Sequence, residues 1–226
     1  MTLELKNVNY IYNYKTVFQK HVLKDINFRI NDNEIIFIIG KSGSGKTTLL
    51  YLLDFLLKPT FGEIVVDGED PYTNPHKFRK KIGFAFQFPE KQFFSETVED
   101  EIMFSIKNFE LENPKERLDE IKELMKLEDD LLKKSPFQLS GGQQRKVALA
   151  SAIAHDPELL ILDEPTVSLD YKSEKSLIEF LKLWVSKNDK SLIIVTHDLE
   201  KFSDFKGKIF EIVDGRLFPV NRGELF

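Results

Sequence analysis

The spacing of apolar residues changes period several times along the chain, and each change marks an element. Residues 3–10 and 22–30 alternate apolar and polar side chains, the pattern of strands with one buried face. Between them, Tyr12-Asn13-Tyr14-Lys15-Thr16 reads as loop. Ile35-Ile36-Phe37-Ile38-Ile39 is apolar throughout, which predicts a strand covered on both faces, as in a parallel sheet between helices. Further short strands are predicted at 63–68, entering a turn, and at 82–86, ending at Gln87.

The middle of the chain changes to helical spacing, with helices predicted at 97–109, 114–127 and 141–155. Asn113, Pro114 and Glu116 form a capping-box pattern at the second of these. On the first, Val98, Ile102, Ile106 and Phe109 share one stripe, while Phe104 lies opposite among Asp100, Glu101 and Asn108. Phe104, with Phe93 and Phe94 upstream, predicts an apolar patch beside Gln87. Buried strands return at 159–162 and 192–195, with a helix at 171–187 between them. Residues 209–213 and 216–218 make a hairpin around Asp214-Gly215. The expected fold is α/β: a phosphate-binding core at about 1–87 and 156–226, opened by an antiparallel β portion. A helical subdomain at about 88–155 is inserted into it.

Composition narrows the class. The 226 residues are 42% hydrophobic and 31% charged, enough to bury a sizeable core. A formal charge of −5 gives no support for a nucleic-acid partner. The absence of cysteine excludes disulfides and thiolate metal sites. No signal-peptide layout opens the chain, and no apolar run approaches the ~20 residues of a membrane span. Any membrane role is therefore expected to be peripheral. His21, His76 and His155 carry no motif and read as structural.

The chemistry begins at Gly40-Lys41-Ser42-Gly43-Ser44-Gly45-Lys46-Thr47, between the apolar strand and a helix opening at Thr48. This is G-x-x-x-x-G-K-[ST], a phosphate-binding loop in its strand–loop–helix setting. Glycines let successive N–H groups point inward at an anion, and the helix adds its unpaired N-terminal N–H groups. Lys46 is expected to reach the β- and γ-phosphates of a nucleoside triphosphate, and Thr47 to ligate Mg²⁺.

Leu159–Leu162 runs into Asp163-Glu164, two carboxylates at the carboxyl end of a buried strand, where open α/β sheets hold ligands. Asp163 is expected to hold Mg²⁺, directly or through water, and Glu164 is the expected general base for the attacking water. Leu139-Ser140-Gly141-Gly142-Gln143 opens another helix and is a second anion site of small residues and bare N–H groups.

In order, the phosphate loop, Gln87, LSGGQ at 139–143, ILDEP at 161–165, Ser168-Leu169-Asp170 and His197 after a strand resemble the ATPase subunit of an ABC transporter. The resemblance spans essentially the whole chain and implies ATP and Mg²⁺ as ligands. It also implies a second such subunit, identical or paralogous, paired head to tail. Each nucleotide would lie between one phosphate loop and the partner's LSGGQ helix. It further implies that Tyr12 stacks on adenine, Gln87 senses Mg²⁺ and the attacking water, and Ser140 and Gly142 bind the partner's γ-phosphate. Asp170 would lie at the dimer interface, and His197 would contact the γ-phosphate in cis.

Phe86–Val98, Pro136-Phe137-Gln138 and Tyr10-Ile11-Tyr12-Asn13 are similar to energy-coupling-factor (ECF) transporter ATPases, importers of vitamins and transition-metal ions. That likeness implies an integral membrane partner and a place at the cytoplasmic face of the membrane. Other ABC classes, for amino acids, lipoproteins or drugs, are the alternative. A non-transport ABC ATPase would carry a coiled-coil insertion or two cassettes, and a metabolic kinase has no use for LSGGQ. The chain departs from the ECF pattern at Asn33, where Gly is common, and at Val167-Ser168. It also ends at Phe226, short of a region that helps ECF ATPases to dimerise, so weak association without nucleotide is expected.

Overall fold

The apolar run becomes strand β3 (Ile35–Ile39), inside a six-stranded sheet in a computed structural model that describes residues 1–187, 189–221 and 223. Phe226 lies outside the described residues. The other strands of this sheet are β5 (Ile82–Ala85), β6 (Leu159–Asp163), β7 (Ser191–Val195), β8 (Lys208–Val213) and β9 (Arg216–Val220). Their order is β5-β6-β7-β3-β8-β9, parallel except for the final antiparallel pair. That pair is the expected hairpin, with Asp214 (φ 48°) and Gly215 (φ 80°) both left-handed, as a tight two-residue turn requires.

Both faces of the sheet are covered, which explains the unbroken apolar runs. Phe37, Leu160, Leu162, Leu192 and Ile194 pack against helices α6 (Gly141–Ile153) and α7 (Tyr171–Val185). Ile36, Ile38, Ile161, Ile193 and Val195 join the opposite core with Leu49, Leu50 and Leu53 of α1 (Lys46–Leu53). That second core also holds the apolar face of a three-stranded antiparallel sheet. It consists of β1 (Leu3–Tyr12), β2 (Lys20–Ile30) and β4 (Phe61–Val66), in the order β2-β1-β4.

Several boundaries differ from expectation. Tyr12 lies at the end of β1, paired with Lys20, and is not in the loop. Strand β1 reaches that far because its register shifts between Leu5 and Val8, where Asn7 is left-handed (φ 48°). Strand β4 starts earlier than predicted and stops at Val66, because Asp67 and Gly68 turn with positive φ. Helix α2 (Pro75–Arg79) is an addition, capped by Asn74 Oδ1, which accepts from Lys77 N at 3.2 Å.

Helices α3 (Val98–Asn108), α4 (Pro114–Leu124), the one-turn α5 (Asp129–Leu132) and α6 follow. Asn113 does not form the predicted capping box. Its backbone is left-handed (φ 52°, ψ 59°), whereas a capping side chain needs an extended backbone to reach back to the helix N–H groups. Lys126, also left-handed, follows the end of α4, which stops short of 127. Thr97 does cap α3, its Oγ1 accepting from Asp100 N at 3.1 Å.

Helix α6 joins the helical region to the sheet. Gly83 of β5 lets it close in, since a Cβ there would lie 2.3 Å from Ala152 O. Arg117 of α4 donates to Ala154 O (2.8 Å) and Ile153 O (3.1 Å), satisfying carbonyls at the end of α6. His155 is buried, with Nε2 3.0 Å from Ile82 O and its ring centroid 4.4 Å from that of Phe109. His21 and His76 likewise bond within the fold, to Asn9 Oδ1 and Asn108 O.

The aromatic patch takes two of the three predicted residues. Phe93 is only 6% exposed and belongs to the core. Phe94 (61% exposed) and Phe104 (48%) meet edge to face on the surface, their centroids 4.5 Å apart. Glu101, itself buried, accepts from the N–H groups of Phe94 (3.1 Å) and Ser95 (2.9 Å) and so fixes the loop. No helix among the described residues is long and apolar enough to cross a membrane.

Candidate nucleotide site

Parallel strands deliver their carboxyl ends to one side, and the connections leaving β3, β5, β6 and β7 enclose a cavity of about 500 Å³. From β3 comes the glycine-rich loop. Gly40 (φ 147°) could not be another residue, because a Cβ would lie 2.6 Å from Ile212 O. Lys46 Nζ donates to Gly40 O (2.7 Å) and Lys41 O (3.0 Å), which holds the ammonium over the loop. Helix α1 starts there without a side-chain cap, and Ser44 Oγ is buried with no partner among the described residues. An anion would satisfy these donors.

Thr47 Oγ1 donates to Asp163 Oδ2 across 3.1 Å, joining the first turn of α1 to the end of β6. Burial raises the Asp163 pKa, and Glu164 adds to the shift, while the Thr47 bond, Lys46 and Arg145 oppose it. Glu164 follows in a left-handed conformation (φ 47°), its N–H bonded to Val195 O at 2.9 Å. Its buried Oε2 lies 2.8 Å from His197 Nδ1 and accepts from His197 N at 3.3 Å.

Of the predicted residues, Tyr12, Gly40, Ser42, Gly43, Gly45, Lys46, Thr47, Thr48, Gln87, Asp163, Glu164 and His197 line this cavity. Tyr12 OH lies 3.3 Å from Thr48 Oγ1, and its ring packs edge-on against Tyr10. Tyr14 instead packs on Phe61. Lys41 and Ser44 do not line the cavity; they border a neighbouring depression with Asp214 and Gly215.

Ser140, Gly141, Gly142 and Gln143 are not among the residues lining the cavity. They form the N-terminus of α6, where Ser140 Oγ accepts from Gln143 N (3.4 Å) and Gln143 Oε1 accepts from Ser140 N (3.1 Å). Leu139 is buried, while Ser140, Gly141 and Gln143 face solvent. Asp170 caps α7, its Oδ1 accepting from Ser173 N at 2.8 Å.

Sequence reasoning missed Lys20 and Val22, which reach the cavity from β2. Only the β1–β2 pairing brings them there, and no local spacing announces it. It also missed the task of Arg145 on α6, whose guanidinium donates to Phe86 O (3.3 Å) and Val167 O (3.2 Å). This half-buried cation ties the residue before Gln87 to the turn after Glu164. The two sequence departures are accommodated. Asn33 adopts φ 59°, which Asn tolerates, and accepts from Asp189 N at 2.8 Å; Ser168 turns with φ 62°.

Residues 23–167 match the ABC transporter family. The chain is 41% identical, over 96% of its length and 78% of the relative's, to the energy-coupling factor transporter ATP-binding protein EcfA2 of Caldanaerobacter subterraneus subsp. tengcongensis. It is 39% identical to the protein of that name from Lactobacillus johnsonii, over 96% of this chain and 77% of the relative. The dimeric post-hydrolysis structure of the ATP-binding cassette MJ0796, bound to ADP and Pi, superposes with a TM-score of 0.85 at 31% identity, covering 97% of this chain and 99% of that one. CbiO1 from Clostridium perfringens, part of the ABC transporter complex cbiONQ, gives 0.83 at 32% identity over 99% and 90%. The chain belongs to the ABC transporter family, as an ATP-binding and ATP-hydrolysing subunit.

Proposed function

We propose that this subunit powers an ECF-type importer of vitamins or transition-metal ions, working at the cytoplasmic face of the membrane on an integral membrane partner. The named relatives, energy-coupling factor transporter ATP-binding proteins, support that class. The helical region at about 88–155 would be the part that faces the membrane subunit. One observation carries the catalytic reading: loop, carboxylates, Gln87 and His197 share a cavity that the chain's own Ser140–Gln143 does not line. A second subunit, identical or paralogous, completes the site by presenting that helix N-terminus to the γ-phosphate.

The residues fit a magnesium nucleotide. Thr47 Oγ1 and Asp163 Oδ2, 3.1 Å apart, are hard oxygen donors that would hold Mg²⁺, Asp163 directly or through water. Bound Mg²⁺ would neutralise phosphate charge there. Lys46 would neutralise more of it, the α1 N–H groups would hold the β-phosphate, and Tyr12 would stack on adenine. Glu164 would take the proton of the attacking water, with His197 holding its carboxylate and Gln87 orienting the water.

The test is uptake. Membrane vesicles carrying the chain with its co-purifying membrane subunits should take up a labelled vitamin, Co²⁺ or Ni²⁺ with ATP, and lose uptake with Glu164→Gln. Uptake of amino acids alone, or association with a lipoprotein exporter, would overturn the ECF assignment.

A further inference from the structure

A second cavity, about 310 Å³, opens between α6 and α7. Leu149, Leu177, Phe180 and Leu183 give it an apolar lining, and Lys126, Lys146 and Lys172 add three ammonium groups. Glu179 is the carboxylate among its lining residues, so positive charge prevails. Lys146 is half-buried and donates to Lys126 O at 3.0 Å, which leaves two of its N–H donors for a ligand. Burial lowers its pKa, Lys126 and Lys172 lower it further, and Glu128 opposes them. An anion beside Lys146 would relieve that repulsion. A small apolar cavity with convergent charged groups is the usual form of a small-molecule site.

We propose that this groove binds a free amphipathic monocarboxylate, with its alkyl chain between α6 and α7 and its carboxylate on Lys146, and that occupancy regulates turnover. The groove's position supplies the coupling. Gly142 lines it and abuts α7 so closely that a Cβ would lie 2.9 Å from Ser173 Oγ. A chain wedged along the two helices would set the spacing between Ser140–Gln143 on one and Asp170 on the other. Binding is independent of the ATPase reading, whereas its effect on turnover rests on it.

The experiment is calorimetry on the whole chain without nucleotide, using octanoate, decanoate, decanol and decyltrimethylammonium below their micelle-forming concentrations. One decanoate should bind per chain, about fifteenfold tighter than octanoate, since each of two extra buried methylenes strengthens binding roughly fourfold. Decanol should bind at least about tenfold more weakly than decanoate, for want of charge-assisted bonds. Lys146→Glu should weaken decanoate and favour decyltrimethylammonium, a reversal that loss of structure cannot mimic. Leu183→Glu, at an exposed position, should abolish binding with an unchanged melting temperature.

Equal affinity for decanol and decanoate would overturn the site. So would many molecules bound per chain with no effect of Lys146→Glu. Recruitment to phosphatidylglycerol vesicles without decanoate binding would make the groove a membrane contact instead. A nucleotide-free dimer that Leu183→Glu dissociates would make its occupant a second copy. With binding established, ATPase of the parent unaltered at saturating decanoate would remove the regulatory role. A parent with no ATPase either alone or with its paralogous subunit would sink the ATPase reading while leaving the binding result standing.

Discussion

Glu164 Oε2 and His197 Nδ1 stand 2.8 Å apart, joined across the ends of the adjacent strands β6 and β7. The carboxylate acceptor places the proton on Nδ1, leaving Nε2 of the largely exposed ring for a second partner. Each side chain orients the other, and the left-handed backbone at Glu164 turns its carboxylate into the cavity. Glu164→Gln should keep nucleotide affinity and lose on the order of 10²–10⁴-fold in turnover, as removal of a positioned base does. Steady-state ATPase together with binding of a fluorescent nucleotide checks it. Turnover within about threefold of the parent would move the base elsewhere.

Thr47 and Asp163 predict the metal dependence. Thr47→Val keeps the shape of the side chain but removes the hydroxyl that donates to Asp163. Half-maximal ATPase should then need about tenfold more Mg²⁺ or beyond, with the protein still folded. An unchanged Mg²⁺ titration would take Thr47 out of the metal site.

Ser140 predicts the assembly. It is exposed and, among the described residues, its hydroxyl bonds to Gln143, so Ser140→Arg should leave the fold and the chain's own phosphate loop intact. Association driven by Mg-ATP and hydrolysis should both vanish. Light scattering of the Glu164→Gln protein, with and without Mg-ATP, gives the reference state. If that protein shows no ATP-dependent dimer, alone or with a paralogue, the head-to-tail arrangement fails.

Sequence reading succeeded where backbone chemistry and function coincide. Gly40, Lys46 and Thr47 must be those residues at those spacings, and β3 must be apolar because helices cover one face and a second sheet the other. It failed where long-range pairing decides. Tyr12 belongs to β1 only because a register shift carries the strand past Val8 to meet Lys20. Phe93 and Phe94 are adjacent and chemically identical, yet one is core and the other surface. The choice rests on the loop that Glu101 holds, which helical periodicity alone could not show. Asn113 had every residue of a capping box and the wrong backbone.

Asp54 and His155 predict the dependence of stability on pH. Burial pushes the Asp54 carboxyl from 3.8 to about 7, with Arg79 opposing. Its contribution is therefore complete below about 3.8 and is lost as pH rises through about 7. Burial also depresses His155 from 6.5 to about 4, a contribution present above 6.5 and lost as pH falls through 4. The two slopes oppose each other between these limits. Asp54→Asn should remove the first, so its stability relative to the parent should rise by about 2–3 kcal/mol from pH 5 to pH 8. Urea melts at both values decide it, and an equal difference at both would place the titration elsewhere.

Phe104 predicts where the proposed membrane subunit would dock. It lies on α3 opposite Ile102 and Ile106, which are fully buried, and among the described residues its aromatic contact is with Phe94. Two exposed rings that meet edge to face, beside a helix otherwise acidic in its first turn, form a surface suited to an apolar helix from a partner. Phe104→Ser should leave the melting temperature and basal ATPase close to the parent's while co-purification with the membrane subunit is lost. Phe93→Ser is the contrast. Its ring is buried, and removing it should cost about 3–5 kcal/mol of stability. If Phe104→Ser lowers stability as much as Phe93→Ser, the patch is core and the membrane subunit docks elsewhere.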